Sequence, residues 1–143
     1  MIGAEVTIRW ASAGEYADVV QHYEVCNYGG GIDEKDGMAI AVSDQIVGAV
    51  RICSENGVPV LRGMQVKPEF QRKGIGLAML KFLQFNTDMS GCYCLPYKHL
   101  IQFYSKIGFE EIKVEEAPIF LAARLERYRG NGNQDITIMK IKK

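Results

Sequence analysis

Nowhere in the 143 residues does an apolar run approach the roughly 20 residues that a membrane-spanning helix needs. Glu5 and Arg9 interrupt the stretch in which a secretory leader would require unbroken apolar sequence. Net charge is missing as well. Lys and Arg number 17, and so do Asp and Glu, so no global field draws the chain to nucleic acid or to an anionic membrane. Four cysteines (Cys26, Cys53, Cys92 and Cys94) form no C-x-x-C pair, and no histidine grouping completes a zinc site. The expectation is free, buried thiols in a reducing cytoplasm, with no metal. Repeats, linkers and low-complexity tracts are absent, and so is any G-x-x-x-x-G-K-(S/T) string, which excludes a P-loop.

What the chain has is apolar material, 48% of its residues, enough for one domain over 1–143 with a proper core. Its periodicities alternate between strand and helix. Val6 to Trp10 predicts a strand, and a helix opening at Ala13-Gly14-Glu15-Tyr16 places Tyr16, Val19, Val20 and Tyr23 on one side. Met38 to Val42 and Ile46 to Cys53 flank Ser43-Asp44-Gln45 as a hairpin, and Val60 to Val66 follows the Asn56-Gly57 turn. A helix from Gly74 to about Asp88 turns Ile75, Ala78, Met79 and Phe82 inward. Gly91 to Leu95 and Phe109 to Val114 predict strands, Pro118 to Leu125 a helix, and Asp135 to Ile141 an alternating final strand.

The segment with the most chemistry runs Val66-Lys67-Pro68-Glu69-Phe70-Gln71-Arg72-Lys73-Gly74-Ile75-Gly76-Leu77. It leaves a strand through a basic, glycine-spaced turn and enters a helix, so free amide N–H groups and a positive dipole end converge on one point. A phosphate or pyrophosphate suits that point. A dinucleotide fingerprint would need a small residue where Met79 stands and an acidic residue well beyond Asp88. The remaining pattern, Gln71-Arg72-Lys73-Gly74-Ile75-Gly76, resembles the acetyl-coenzyme A pyrophosphate loop (Q/R-x-x-G-x-G/A) of the GCN5-related N-acetyltransferase (GNAT) superfamily. A second segment strengthens the resemblance. Leu100, Phe103, Tyr104 and Ile107 lie on one helical stripe that ends in Gly108-Phe109, similar to that superfamily's aromatic-Tyr-x-x-x-Gly-Phe run. By element order the likeness covers about residues 4 to 141.

The resemblance implies an α/β (α+β) fold with a mixed, twisted central sheet of about six to seven strands and helices on both faces. It also implies an N-acetyltransferase that moves the acetyl group of acetyl-CoA to a primary amine by direct attack. The amine would belong to a small molecule or a protein, no metal would take part, and a homodimer is compatible with the pattern. Gln71, Arg72, Lys73, Gly74, Ile75, Gly76 and Leu77 would hold the pyrophosphate. Gly63, inside an otherwise good strand, marks the bulge that this superfamily places before the loop. Met64 would then aim its backbone N–H at the thioester carbonyl, with Gln65 beside it and Val66 pairing with pantetheine amides. A donor of that kind contributes about 3 kcal/mol to lowering the barrier. Phe103 and Tyr104 would also touch the coenzyme, and the Tyr104 phenol would protonate the departing thiolate.

Some positions depart from the pattern. Tyr97 stands where relatives carry an Asn that contacts pantetheine, and Val60 and Arg62 leave no acid beside Met64, so no general base is assigned. Glu69, His22 and His99 read as exposed or structural groups. Asp33, Glu34 and Asp36 form either a solvated loop or an attractor for a cationic amine, and Arg124 and Arg127 form either surface pairs or a carboxylate site. The missing acid keeps open a second class, a non-catalytic acyl-CoA-binding regulatory protein with the same fold.

Overall fold

The computed structural model describes residues 5–142. In chain order their elements are β1 (Thr7–Trp10), α1 (Tyr16–Val25), β2 (Gly37–Val42), β3 (Ile46–Glu55), β4 (Val58–Val66) and α2 (Ile75–Asn86). β5 (Tyr93–Cys94), α3 (Ile101–Ser105), β6 (Phe109–Glu111), α4 (Ile119–Gly130) and β7 (Met139–Ile141) follow. The strands form one seven-stranded mixed sheet of order β1-β2-β3-β4-β5-β7-β6. Neighbours are antiparallel at β1–β2, β2–β3, β5–β7 and β6–β7, and parallel at β4–β5, where the register holds the single pair Val60↔Tyr93. The chain divides into two compact units, residues 5–54 with 61–88, and residues 55–60 with 89–142. Among the described residues no helix is long and apolar enough to cross a membrane.

In the first unit, strand residues are covered on both sides. Met38 and Ile40 of β2 and Ala49 of β3 pack with Val19 and Tyr23 of α1. Successive strand residues point to opposite faces, so Ala39, Ala41 and Gly48 turn the other way. There α2 approaches closely: a Cβ on Gly48 would lie 2.9 Å from the Met79 methyl. Double coverage explains why Met38 to Ala41 is continuously apolar and fully buried. The buried face of α2 is Ile75, Met79, Leu80 and Leu83, a rotation away from the predicted Ala78 and Phe82. Phe82 instead meets Trp10 edge-on, ring centroids 5.2 Å apart.

A charge lies in this core. Arg51 of β3 is 1% exposed, with Nη1 2.7 Å from Asp36 Oδ2 and Nη2 2.8 Å from the Tyr28 hydroxyl. Its guanidinium sits over the Tyr23 and Tyr28 rings, 5.5 and 5.7 Å from their centroids. Burial alone would lower the Arg51 pKa, but the tyrosines and Asp36 outweigh it and the net direction is up. His22 is buried as well, with Nε2 2.9 Å from the Gln65 carbonyl. A carbonyl only accepts, so Nε2 carries the proton and Nδ1 is a buried lone pair with no hydrogen-bond partner among the described residues. Burial lowers the His22 pKa, and the ring is neutral at physiological pH.

The second unit gathers Val60, Tyr93, Leu121, Leu125, Ile136 and Ile138 into one cluster under α4. Arg124 of α4 grips Glu55 with both guanidinium nitrogens, so this arginine is a paired group. The predicted final strand is shorter than its sequence pattern. Only Met139–Ile141 joins the ladder, while Ile136 makes an isolated bridge to Tyr97. Residues Ile136 to Met139 are all buried, which overrides alternation, and Thr137 is accommodated by a 2.5 Å hydrogen bond to Glu111. α4 runs on to Gly130, past the predicted end at Leu125. β6 stops at Glu111, because the Glu116 carboxylate accepts the Lys113 N–H at 2.9 Å and tightens the next residues into a 3-10 turn.

Two outcomes follow from the buried polar groups. Asp36→Ala leaves Arg51 without its counter-charge, and urea titration should register a loss of about 3 kcal/mol. For His22 the folded pKa lies below the unfolded value of about 6.5, so the unfolded state binds the proton more readily. Stability is therefore complete above that unfolded value and falls as pH drops through the folded one. Calorimetric Tm values for His22→Gln should show a flatter acid limb than the parent protein.

Candidate active site

β4 ends at Val66, and Pro68-Glu69-Phe70 makes one 3-10 turn, closed by Phe70 N–H to Lys67 O at 2.8 Å and Gln71 N–H to Pro68 O at 3.2 Å. The base is pinned twice. Lys67 N–H reaches Val47 O at 2.9 Å, and the Gln71 side-chain amide turns back 2.8 Å to Val66 O. The predicted contact residue Gln71 thus shapes the turn with its side chain. Beyond it the backbone enters the left-handed region at Arg72 (φ 62°) and Gly74 (φ 83°). Arginine there carries strain of about 1 kcal/mol, the kind held at functional turns. Among the described residues the amides of 72–77 have no acceptor outside the turn of α2 they begin. Space beside Gly74 is open, since a Cβ there would meet nothing within 4 Å. Arg72 and Lys73 are exposed beside it, with Lys73 Nζ 5.8 Å from the Phe70 ring centroid. Free amides, a helix N-terminus and two mobile cations fit an anionic pyrophosphate.

Upstream, Gly63 adopts φ 68° within β4, a left-handed backbone in mid-strand. Side chains of α1 hold the carbonyls here. Tyr23 donates its hydroxyl to Gly63 O at 2.7 Å, and His22 Nε2 donates to Gln65 O at 2.9 Å. No peptide among the described residues is cis, so the N–H of each following residue points opposite to the gripped carbonyl. The amides of Met64 and Val66 accordingly face away from those two side chains. Met64, Gln65 and Val66 are half-buried, and the structure brings them into one unit with the basic turn.

Phe103 and Tyr104 belong to the second unit, on the five-residue α3. Tyr104 is buried, edge-on to Phe103 at 5.0 Å and to Phe109 at 6.0 Å between centroids. Among the described residues its hydroxyl has no hydrogen-bond partner. Burial, with a smaller push from Cys94, raises its pKa well above the usual phenol value, so it stays protonated. Gly108, at φ 101°, ends this helical segment as the motif predicted. Tyr97 is exposed and stacks on His99, 5.8 Å between centroids.

The remaining candidates are mostly committed to local bonds. Asp36 pairs with Arg51, and Asp33 accepts the Lys35 N–H at 2.9 Å, so the acidic loop is largely structural. A cleft of about 360 Å³ nevertheless opens beside Ser12, Tyr16, Glu34 and Asp36. All four cysteines are free, and no group of three or more His, Cys, Asp or Glu among the described residues is placed to hold a metal. Sequence reasoning missed Tyr23, His22 and Arg51 as neighbours of β4. The available signal was Arg51, a lone charge in the apolar run from Ile46 to Cys53.

Residues 34–111 match the family profile described as Acetyltransferase (GNAT) domain. Comparison with curated protein sequences gave no match. Among solved structures, N-acetylglutamate synthase from Neisseria gonorrhoeae, complexed with coenzyme A and N-acetyl-glutamate, superposes with TM-score 0.69 at 17% identity. That match covers 96% of this chain, which spans 35% of the synthase. A Mycobacterium tuberculosis protein solved with CoA gives 0.68 at 16% identity over 96% of this chain and 99% of that one. The ribosomal-protein-S18-alanine N-acetyltransferase from Escherichia coli gives 0.67 at 16% identity, covering 96% and 93%. These likenesses establish a common fold. With the profile covering more than half its length, the chain belongs to the GNAT acetyltransferase domain family.

Proposed function

We propose that this protein is a cytoplasmic N-acetyltransferase that moves the acetyl group of acetyl-CoA to a primary amine by direct attack, one GNAT domain serving as the catalyst. The observation that carries the reading is the row of amides over 72–77 that have no acceptor outside their own turn among the described residues, with Gly74 left-handed and unobstructed beside them. Those amides, Arg72 and Lys73 hold the pyrophosphate, while the N–H groups of Met64 and Val66 receive the thioester carbonyl and the pantetheine arm. Acetyl-CoA supplies an activated acyl carbon, and the amine lone pair forms the new C–N bond there. Charge that develops on the carbonyl oxygen is met by the Met64 N–H. The C–S bond breaks with its electron pair on sulfur, and the Tyr104 phenol supplies the proton. The surplus amine proton passes to water, so no fixed base is assigned.

A non-catalytic acyl-CoA binder would keep the basic turn and need no proton donor. The protonated Tyr104 hydroxyl, without a partner among the described residues, favours turnover. Fold neighbours named for an amino-acid product and for a ribosomal-protein alanine make both small amines and protein amino groups reasonable acceptors.

Thiol release from acetyl-CoA across a panel of small amines and peptides tests the activity, and silence over the whole panel would favour the binder. Gly74→Val, which puts a branched side chain at positive φ, should weaken acetyl-CoA binding by about tenfold or more in calorimetric titration. Tyr104→Phe should lower kcat by about tenfold or more and leave coenzyme affinity intact. An unchanged kcat removes Tyr104 from the reaction.

A further inference from the structure

Tyr23 and the Met64 N–H act on a single amide. The Tyr23 hydroxyl donates 2.7 Å to the carbonyl of Gly63, and that carbonyl shares its planar peptide group with the N–H of Met64. Fixing one end of a rigid, trans amide fixes the direction of the other. Accepting a hydrogen bond at the oxygen also polarises the group and strengthens its N–H as a donor, by about 10–30% per bond in condensed phases.

Tyr23 is itself held tightly. It is 1% exposed, its ring packs 4.7 Å from that of Tyr28, and the Arg51 guanidinium lies 5.5 Å from its centroid. Arg51 is anchored in turn by Asp36 and Tyr28, yet its Nε is buried with no hydrogen-bond partner among the described residues. Tyr23 and Arg51 also occupy the room a side chain at 63 would need. A Cβ there would lie 2.8 Å from the Tyr23 hydroxyl and 3.2 Å from Arg51 Nε. The positive φ of Gly63 and the two side chains beneath it are therefore one packed arrangement, with a cation held close to the amide.

We propose that Tyr23, braced by the buried Arg51, is a positioning residue that orients and polarises the Gly63–Met64 amide as the donor to the acyl carbonyl. The inference rests on the reading that the Met64 N–H receives the thioester oxygen. It assigns catalytic work to a helix residue with no direct contact to the reacting atoms.

Infrared spectroscopy of acetyl-CoA labelled with 13C at the acetyl carbonyl tests both statements without an acceptor amine. On binding to the parent protein, the carbonyl stretch should move to lower frequency. In Tyr23→Phe at least half of that shift should disappear, while the calorimetric Kd for acetyl-CoA stays within about twofold because the basic turn is untouched. An undiminished shift in Tyr23→Phe overturns the role of Tyr23 and leaves the Met64 reading standing. Absence of any shift in the parent overturns the Met64 reading and this inference with it. Should Tyr23→Phe fail to fold, 3-fluorotyrosine placed at position 23 keeps the shape and makes a stronger donor. It should enlarge the parent's shift, and an unchanged frequency counts against the proposal.

Discussion

Strand β4 is governed by side chains that reach it from α1. Two of its carbonyls, on Gly63 and Gln65, are held by Tyr23 and His22, so a helix sets the orientation of the backbone leading into the basic turn. Everything proposed for the acyl group depends on this grip, because a backbone donor has no rotamer of its own and points where its peptide plane points. The buried Arg51 explains why Tyr23 cannot drift. A guanidinium in that position holds two aromatic rings and a carboxylate at once.

Much of the basic turn was legible because its signals are local. Left-handed backbone, a helix start and adjacent cations follow from Gly74, Ile75, Arg72 and Lys73 within a few residues. Gly63, a glycine in mid-strand, stood out for the same reason, and its backbone is left-handed. Its supporting cluster did not, since Tyr23 lies on an apolar helical stripe and looks like ordinary core. Only its long-range partner gives it a polar role, and 40 residues separate Tyr23 from Gly63.

The two fold misjudgements have different causes. α2 buries one face, as expected, but Leu80 and Leu83 with Met79 turn that face away from Ala78 and Phe82. The predicted alternation of the last strand presumes one buried side, whereas Ile136, Thr137, Ile138 and Met139 are all buried because contacts cover both sides. In α4 the buried residues are Leu121 and Leu125, one helical turn apart on a single face.

The neutral bond from Gln71 to Val66 has a consequence for how ions act on the turn. Its cradle is closed by an amide and a carbonyl, neither of which is appreciably screened by dissolved salt. Arg72 and Lys73, in contrast, stand in water and feel ionic strength fully. Rising salt should loosen the electrostatic hold on a bound anion while the receptacle keeps its form, separating attraction from shape within eight residues.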